Sequence, residues 1–547
     1  MVFMMTLSLK KLKCNDTGFT LGCAFLFTLL NALFIQRSWA IIAPARVHDF
    51  LFALSIPVVL FCGWVMVFSV LNIPLIRKPL LVLLTLGCAG ATWFMFTYGA
   101  VIDQNMMVNV FETNSQEATA LVTPQLLLWL AIAGLVPSAV LVMIRIRPAK
   151  WWHVLAMRLA AILGSMLIII LIAAVFYKDY ASLFRNNKGI VKMVTPANYV
   201  SAMAKYTKAR WFAGDQTLIR LGEDAHKGPV LLAKNKKTVL VLVVGEASRA
   251  ENYSLNGYGR DTNPELQKQN VINFPQASSC GTETAVSVPC MFSGMPRKHY
   301  DADLARHQEG LMDVLAHAGV NLLWRDNDGG CKGACNRIPY TDMTQWKLDQ
   351  FCKNNSCIDD ANLYRLDNVL DGLKQDSVLV IHLMGSHGPA YYQRYPQQYR
   401  RFTPTCDTNE IQNCDHQALL NTYDNTILYT DSVVSRTIDA LKARQSTMNT
   451  ALIYLSDHGE SLGENGLYLH GTPYMIAPKQ QTHIPFMFWL SADYQKGFGI
   501  DEQCLRQQAQ NEAVSQDNLF STVLGMMNVQ TSVYQSQMDL LDRCRRT

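Results

Sequence analysis

The sequence predicts a two-part fold: an N-terminal transmembrane domain of five helices over residues 1–177, a linker with interfacial helices over 178–235, and a C-terminal α/β/α domain with a mainly parallel sheet over 236–547. Three observations predict it. Nearly every long apolar run lies before Tyr180, each close to the ~17–25 residues that cross a bilayer as a helix. After Lys236 the pattern changes to short β-branched runs alternating with helical stretches, the signature of strands buried on both faces. Most of the 14 cysteines fall in this second part, as expected of a domain in an oxidising compartment.

The apolar runs read Phe19–Ile35, Leu51–Leu71, Leu80–Tyr98, Leu126–Ile144 and Leu159–Tyr177. Basic residues mark one side of them: Lys10, Lys11 and Lys13 before the first, Arg77 and Lys78 after the second, and Arg145, Arg147, Lys150 and Arg158 after the fourth. The loop from Ala100 to Pro124 instead carries Asp103, Glu112 and Glu117 with no Lys or Arg. The positive-inside bias places the N-terminus in the cytoplasm and everything after Tyr177 outside, with Arg37 and Arg46 dissenting. "SWA" at 38–40 resembles a signal-peptide cleavage site, but the run before it is longer than a usual h-region of ~7–15 residues. The net charge of +5 carries no basic stripe interleaved with aromatics, so nucleic acid is not an expected partner. In the linker, "YTKARWFAG" suggests an interfacial helix that rests Trp211 and Phe212 on lipid.

Cys280, Cys290, Cys331, Cys335, Cys352, Cys357, Cys406, Cys414, Cys504 and Cys544 form an even set. Close neighbours suggest the pairs 280–290, 331–335, 352–357 and 406–414, with 504–544 by elimination. Cys331, Cys335, Cys352 and Cys357 also have roughly the spacing of a zinc ribbon, so that alternative stands beside the disulfides.

Four runs define the sheet: "TVLVLVVGE" (238–246), "GVNLLWRDND" (319–328), "SVLVIHLMGSHG" (377–388) and "TALIYLSDHGES" (450–461). Each ends in residues suited to binding a metal or a phosphate: Glu246; Asp326 and Asn327; His387; Asp457 and His458. Sites in open α/β sheets form outside the carboxyl ends of the strands, so these groups share one crevice. Glu246, Asp457 and His458 make a mixed oxygen and nitrogen set that suits zinc, or manganese less well. His387 and His470 are candidates for a second ion or a substrate phosphate; His382 and His483 read as core histidines. A metal with three protein ligands has an open position for a nucleophile. The cysteine-bounded loop "SCGTETAVSVPC" (279–290) offers Ser279, Thr282, Thr284 and Ser287, and spacing does not choose between Thr282 and Thr284. Lys332 stands ready to neutralise a phosphate oxygen.

"SCGTETAVSVPCMFS", "WRDNDGGCKGAC", "MGSHGPAYYQRYP", "FTPTC", "NTYDNTILYTD" and "YLSDHGESLGENGLYLHGTPY" together resemble the phosphoethanolamine transferases that modify lipid A, the group that includes the colistin-resistance enzymes. The resemblance covers nearly the whole chain. It implies a periplasmic catalytic domain of the alkaline phosphatase/sulfatase superfamily on a multi-pass inner-membrane anchor. It makes Thr284 the nucleophile and a metal partner, beside Glu246, Asp457 and His458, on one tightly bound zinc with room for a second. Lys332, His387, His470 and Asn327 would serve the phosphoethanolamine group or a further ion. Asn109, Thr113 and Glu117, spaced i, i+4 and i+8 on one helix face, would bind the ethanolamine headgroup or lipid. Phosphatidylethanolamine is the implied donor, lipid A the acceptor, and a monomer the expected state. Position 283 is Glu where relatives often carry a small residue. Alternatives are a phosphoethanolamine or phosphoglycerol transferase acting on another periplasmic glycan or lipopolysaccharide core, a hydrolase, and a metal-stabilised membrane receptor.

Overall fold

The computed structural model describes residues 13–112, 115–211, 217–233, 235–353 and 356–546. They divide into two compact units, one holding the residues up to Met107 and Val122–Thr207, the other Val108–Leu121 and the chain from Lys208.

The first unit is helical: α1 (Asp16–Leu30), α2 (Ala32–Ile42), α3 (Val47–Leu71), α4 (Arg77–Thr97), α5 (Pro124–Met143) and α6 (Trp151–Asn186). Among the described residues, α3 to α6 are each long and apolar enough to cross a membrane, and α1 with α2, bent by 57°, counts as a fifth if the pair is one span. The expected continuous helix over Phe19–Ile35 is therefore broken. The cause is Asn31: its amide donates to the carbonyls of Phe27 and Thr195 and accepts the Thr195 N–H, so a polar side chain replaces the helix ladder there. Helical structure continues past the apolar segment to Asn186, but Phe176, beside the end of hydrophobicity at Tyr177, has non-helical backbone and marks a kink there. At the opposite end of α1, Asp16 takes Nε and Nη2 of Arg158 at 2.8 and 3.0 Å and the Asn72 amide at 3.2 Å. A carboxylate held this way clamps three helices together. Trp211 and Phe212, read as lipid anchors, have side chains outside the described residues, so the interfacial reading is not addressed.

The second unit is built on a seven-stranded sheet: β1 (Lys237–Gly245), β2 (Ile272–Asn273), β3 (Asn321–Asp326), β4 (Tyr340–Asp342), β5 (Ser377–His382), β6 (Met448–Ser456) and β7 (Phe486–Leu490), in the order β2-β7-β6-β1-β5-β3-β4. The sheet is mixed. Strands β6, β1, β5, β3 and β4 pair in parallel, while β7 runs antiparallel to both β6 and β2. The expectation of a mainly parallel sheet came from the four runs that make the parallel centre. "FMFWL" lies outside those runs, and its antiparallel direction is set by how the chain enters the sheet edge.

Alternation along β1 sends successive side chains to opposite faces. Leu240, Leu242 and Val244 enter one core with Phe274, Phe486 and Leu519; Val239, Val241 and Val243 enter the other with Ile381, Tyr423 and Leu452. The second core is covered by α8 (His416–Lys442), the first by α7 (Thr284–Ser293) and α9 (Leu519–Met526). The cysteines pair 280–290, 331–335, 352–357, 406–414 and 504–544. The zinc-ribbon alternative falls, since its four thiols are spent in two disulfides.

Candidate active site

Strand β1 ends at Gly245 and β6 at Ser456, side by side in the sheet, and the next residues deliver Glu246, Asp457 and His458 to one point. All three are fully buried. Backbone amides aim them. Asp457 Oδ1 accepts the N–H groups of Ala247 and His458, which turns Oδ2 into the crevice. His458 Nδ1 lies 2.8 Å from the Gly459 carbonyl, so Nδ1 donates there and the ring turns Nε2 toward the acids. Two glycines permit the approach. A Cβ on Gly385, at φ +49°, would meet the Glu246 backbone at 2.8 Å, and one on Gly459 would meet the Gln480 carbonyl at 2.0 Å.

Thr284 opens α7, and its Oγ1 is 3.0 Å from Glu246 Oε2 and 3.4 Å from His458 Nε2. His458 Nε2 is 3.2 Å from both Glu246 Oε1 and Asp457 Oδ2. The structure thereby separates the hydroxyls of the loop. Thr282 Oγ1 donates to the Thr472 carbonyl, Ser279 to the Gly281 carbonyl, and Ser287 accepts the Gly281 N–H. Thr284 alone of the four faces the acids.

The arrangement fits a cation. Glu246 Oε1 and Asp457 Oδ2 are buried without a hydrogen-bond donor, and His458 Nε2 lies 3.2 Å from both. Buried charges of one sign require pairing or a metal. Separations of 3.0 to 3.4 Å between neighbouring ligand-type atoms are of the size found between ligands about 2.0 Å from one ion, about 3.3 Å. Without a cation, burial and the neighbouring Asp457 carboxylate push the Glu246 carboxyl well above the usual carboxylate range.

His470 and His387 continue the row of imidazoles, with ring centres 4.5 Å apart for His458 and His470 and 5.6 Å for His387 and His470. His470 Nδ1 is 3.3 Å from buried Glu460; His387 Nδ1 is 2.7 Å from the Gly388 carbonyl. Lys332 lies on the loop after β3 with φ +49°, a conformation that non-glycine residues keep chiefly where surrounding structure enforces it. Asn327 is placed differently from the expectation. Its amide donates to Cys357 and Asp359 and accepts the Met384 N–H, so it braces the loops beneath the crevice rather than reaching into it. Asn109, in the Gln104–Glu112 helix, donates to Glu283, the buried residue before Thr284. Thr113 and the Glu117 side chain lie outside the described residues.

Two contributors were not legible in the sequence. Gln516 is fully buried; its Oε1 accepts the Cys280 N–H and its Nε2 donates to the Ser456 and Asp457 carbonyls. One amide thus ties the loop that carries Thr284 to the turn that carries Asp457 and His458. His382, read as a core histidine, is indeed buried but sits between Asp326 and Asp328. His483, read likewise, has its Nε2 2.7 Å from the Pro275 carbonyl.

The loop's disulfide has a measurable share in this geometry. Replacing Cys280 and Cys290 together with serine is expected to lower stability by about 2–3 kcal/mol from lost loop restriction, and to depress turnover more than substrate binding; thermal melting and kcat against KM check this.

Comparison with known proteins agrees with the geometry. Residues 238–529 match the sulfatase family model, and residues 60–211 match "Phosphoethanolamine transferase EptA/EptB". The chain is 48% identical over 540 residues to phosphoethanolamine transferase EptA of Escherichia coli K12, covering 98% of each chain. It is 36% identical to phosphatidylethanolamine transferase Mcr-1 of Escherichia coli, covering 87% of this chain and 88% of that one. The solved integral membrane lipooligosaccharide phosphoethanolamine transferase A of Neisseria meningitidis superposes with a TM-score of 0.94 at 39% identity, over 98% of this chain and all of that one. Matches of this identity over nearly the whole length of both chains show that the chain belongs to the lipid A phosphoethanolamine transferase family of the alkaline phosphatase superfamily.

Proposed function

We propose that this enzyme transfers phosphoethanolamine from phosphatidylethanolamine to a phosphate of lipid A through a covalent intermediate on Thr284, with zinc held by Glu246, Thr284, Asp457 and His458. The convergence of Thr284 Oγ1 on Glu246 and His458 carries this reading. A bound zinc ion supplies positive charge that lowers the pKa of the threonine hydroxyl.

Thr284 Oγ attacks phosphorus while the bond to the diacylglycerol oxygen breaks, and the leaving oxygen takes up a proton. The phosphate lies at the N-terminus of α7, where the helix dipole favours negative charge. Lys332 neutralises a phosphate oxygen, and His387 and His470 face the same group and hold or move the proton. A lipid A phosphate oxygen then attacks phosphorus and the Thr284–phosphorus bond breaks. Asn109, which donates to Glu283, holds the ethanolamine headgroup, and the family resemblance gives Thr113 and Glu117 the same role. Both substrates are lipids, which suits a catalytic domain on the periplasmic side of a multi-pass inner-membrane anchor with a cytoplasmic N-terminus. The added amine lowers surface negative charge and with it the attraction of cationic peptides such as polymyxin.

Mass spectrometry of lipid A from cells with and without the gene tests the reading. A gain of phosphoethanolamine supports it; an unchanged lipid A overturns it, and release of free phosphoethanolamine at the rate of transfer points to hydrolysis. Lys332→Ala is expected to reduce kcat/KM for the donor by about 10–100-fold, the loss of one charge-assisted contact of ~1.5–3 kcal/mol, as steady-state kinetics in detergent or vesicles would show.

A further inference from the structure

Behind Glu246 the crevice holds a second convergence of ligand atoms. Glu246, Asp328 and His382 each offer one atom, and these atoms lie within 4.8 Å of one another. The three residues are 0%, 6% and 0% exposed. His382 Nδ1 is 2.8 Å from Asp326 Oδ2. The other oxygen of Asp326 accepts the backbone N–H groups of Asp328, Gly329 and Gly330, a pattern that keeps it anionic and makes it the acceptor of the Nδ1 proton. The opposite nitrogen, Nε2, makes no hydrogen bond and stands 3.6 Å from Asp328 Oδ2, beyond hydrogen-bond range. A histidine whose far nitrogen is held by a carboxylate while its near nitrogen faces two more carboxylates has the arrangement of an oriented metal ligand.

We propose that Glu246, Asp328 and His382 form a second divalent-cation site that shares Glu246 with the Thr284 site. Two carboxylates and an imidazole suit zinc or manganese. The ion neutralises the Glu246 and Asp328 carboxylates, and it anchors the loop that carries Lys332 four residues beyond Asp328. It is separate from the His387 and His470 pair. It does not require the Thr284 site to be occupied, so the two can fail independently. The competing account has no ion, with a protonated His382 bridging Asp326 and Asp328.

The test is anomalous diffraction from crystals of the full chain, first passed through a desalting column, after equilibration with zinc or with manganese. A peak bounded by Glu246, Asp328 and His382, resolved from one at Thr284, is expected. Asp328→Asn should remove that peak alone and lower retained metal by about one equivalent per chain, while Thr284→Ala should leave it in place. Retention of the Thr284 peak without the second peak overturns the proposal and favours the imidazolium bridge. A second peak alone upholds it and overturns the zinc reading of the Thr284 site; loss of both overturns each. The wild-type maps decide the matter even if Asp328→Asn fails to fold.

Discussion

Thr284→Ala is expected to abolish phosphoethanolamine transfer, lowering kcat by about 10⁴-fold or more, because no other hydroxyl of the loop can take its place. Thr282, Ser279 and Ser287 are held by hydrogen bonds within and across the loop. Binding should survive, since Lys332, the imidazoles and the helix N-terminus remain, so the donor KM is expected to change little. Thr284→Ser keeps a hydroxyl on the same carbon and should keep measurable turnover. Intact-mass spectrometry after rapid mixing with donor and no acceptor reports the intermediate directly: wild type gains the mass of a phosphoethanolamine group and Thr284→Ala does not. Transfer by Thr284→Ala at the wild-type rate would remove the nucleophile assignment.

Metal removal has the next largest effect, and its sign should invert in one variant. Chelation is expected to reduce transfer by about 10³-fold or more, several kcal/mol of lost charge stabilisation. It should also lower the melting temperature, because a ligand at a thousand times its Kd contributes about 4 kcal/mol to stability. Zinc should restore both. Glu246→Gln separates the causes. In metal-loaded protein it removes a ligand and is expected to destabilise. In chelated protein it replaces a buried acid, which Asp457 and burial force toward its neutral form, by a neutral amide, and it is expected to stabilise relative to chelated wild type. Melting curves of the four states settle it; the same ordering with and without metal would count against a cation at this point.

Much of the site is legible because strand ends are local. "VVGE" and "LSDHG" each carry their acid at the residue after a buried apolar run, and parallel pairing of β1 with β6 brings the two ends level. The family resemblance, rather than spacing, selected Thr284 over Thr282; the tertiary structure supplies the physical reason, by turning Thr282 toward Thr472. Asn327 shows the reverse. Its position beside Asp326 looks catalytic, yet two segments, residues 357–359 and the turn at Met384, converge on its amide and use it as a brace.

Hydrophobic period and charge asymmetry in the sequence alone marked the membrane-length segments, the parallel strands and the acids at their ends, since each is a pattern over neighbouring residues. The break at Asn31, the antiparallel β7 edge, the bridge made by Gln516 and the position of His382 between two aspartates were decided only by the tertiary structure. Each depends on partners far along the chain: Asn31 on Thr195, Gln516 on Cys280 and Asp457, His382 on Asp326 and Asp328. A polar side chain's role follows from which donors and acceptors surround it, and for these residues folding alone assembles that surrounding.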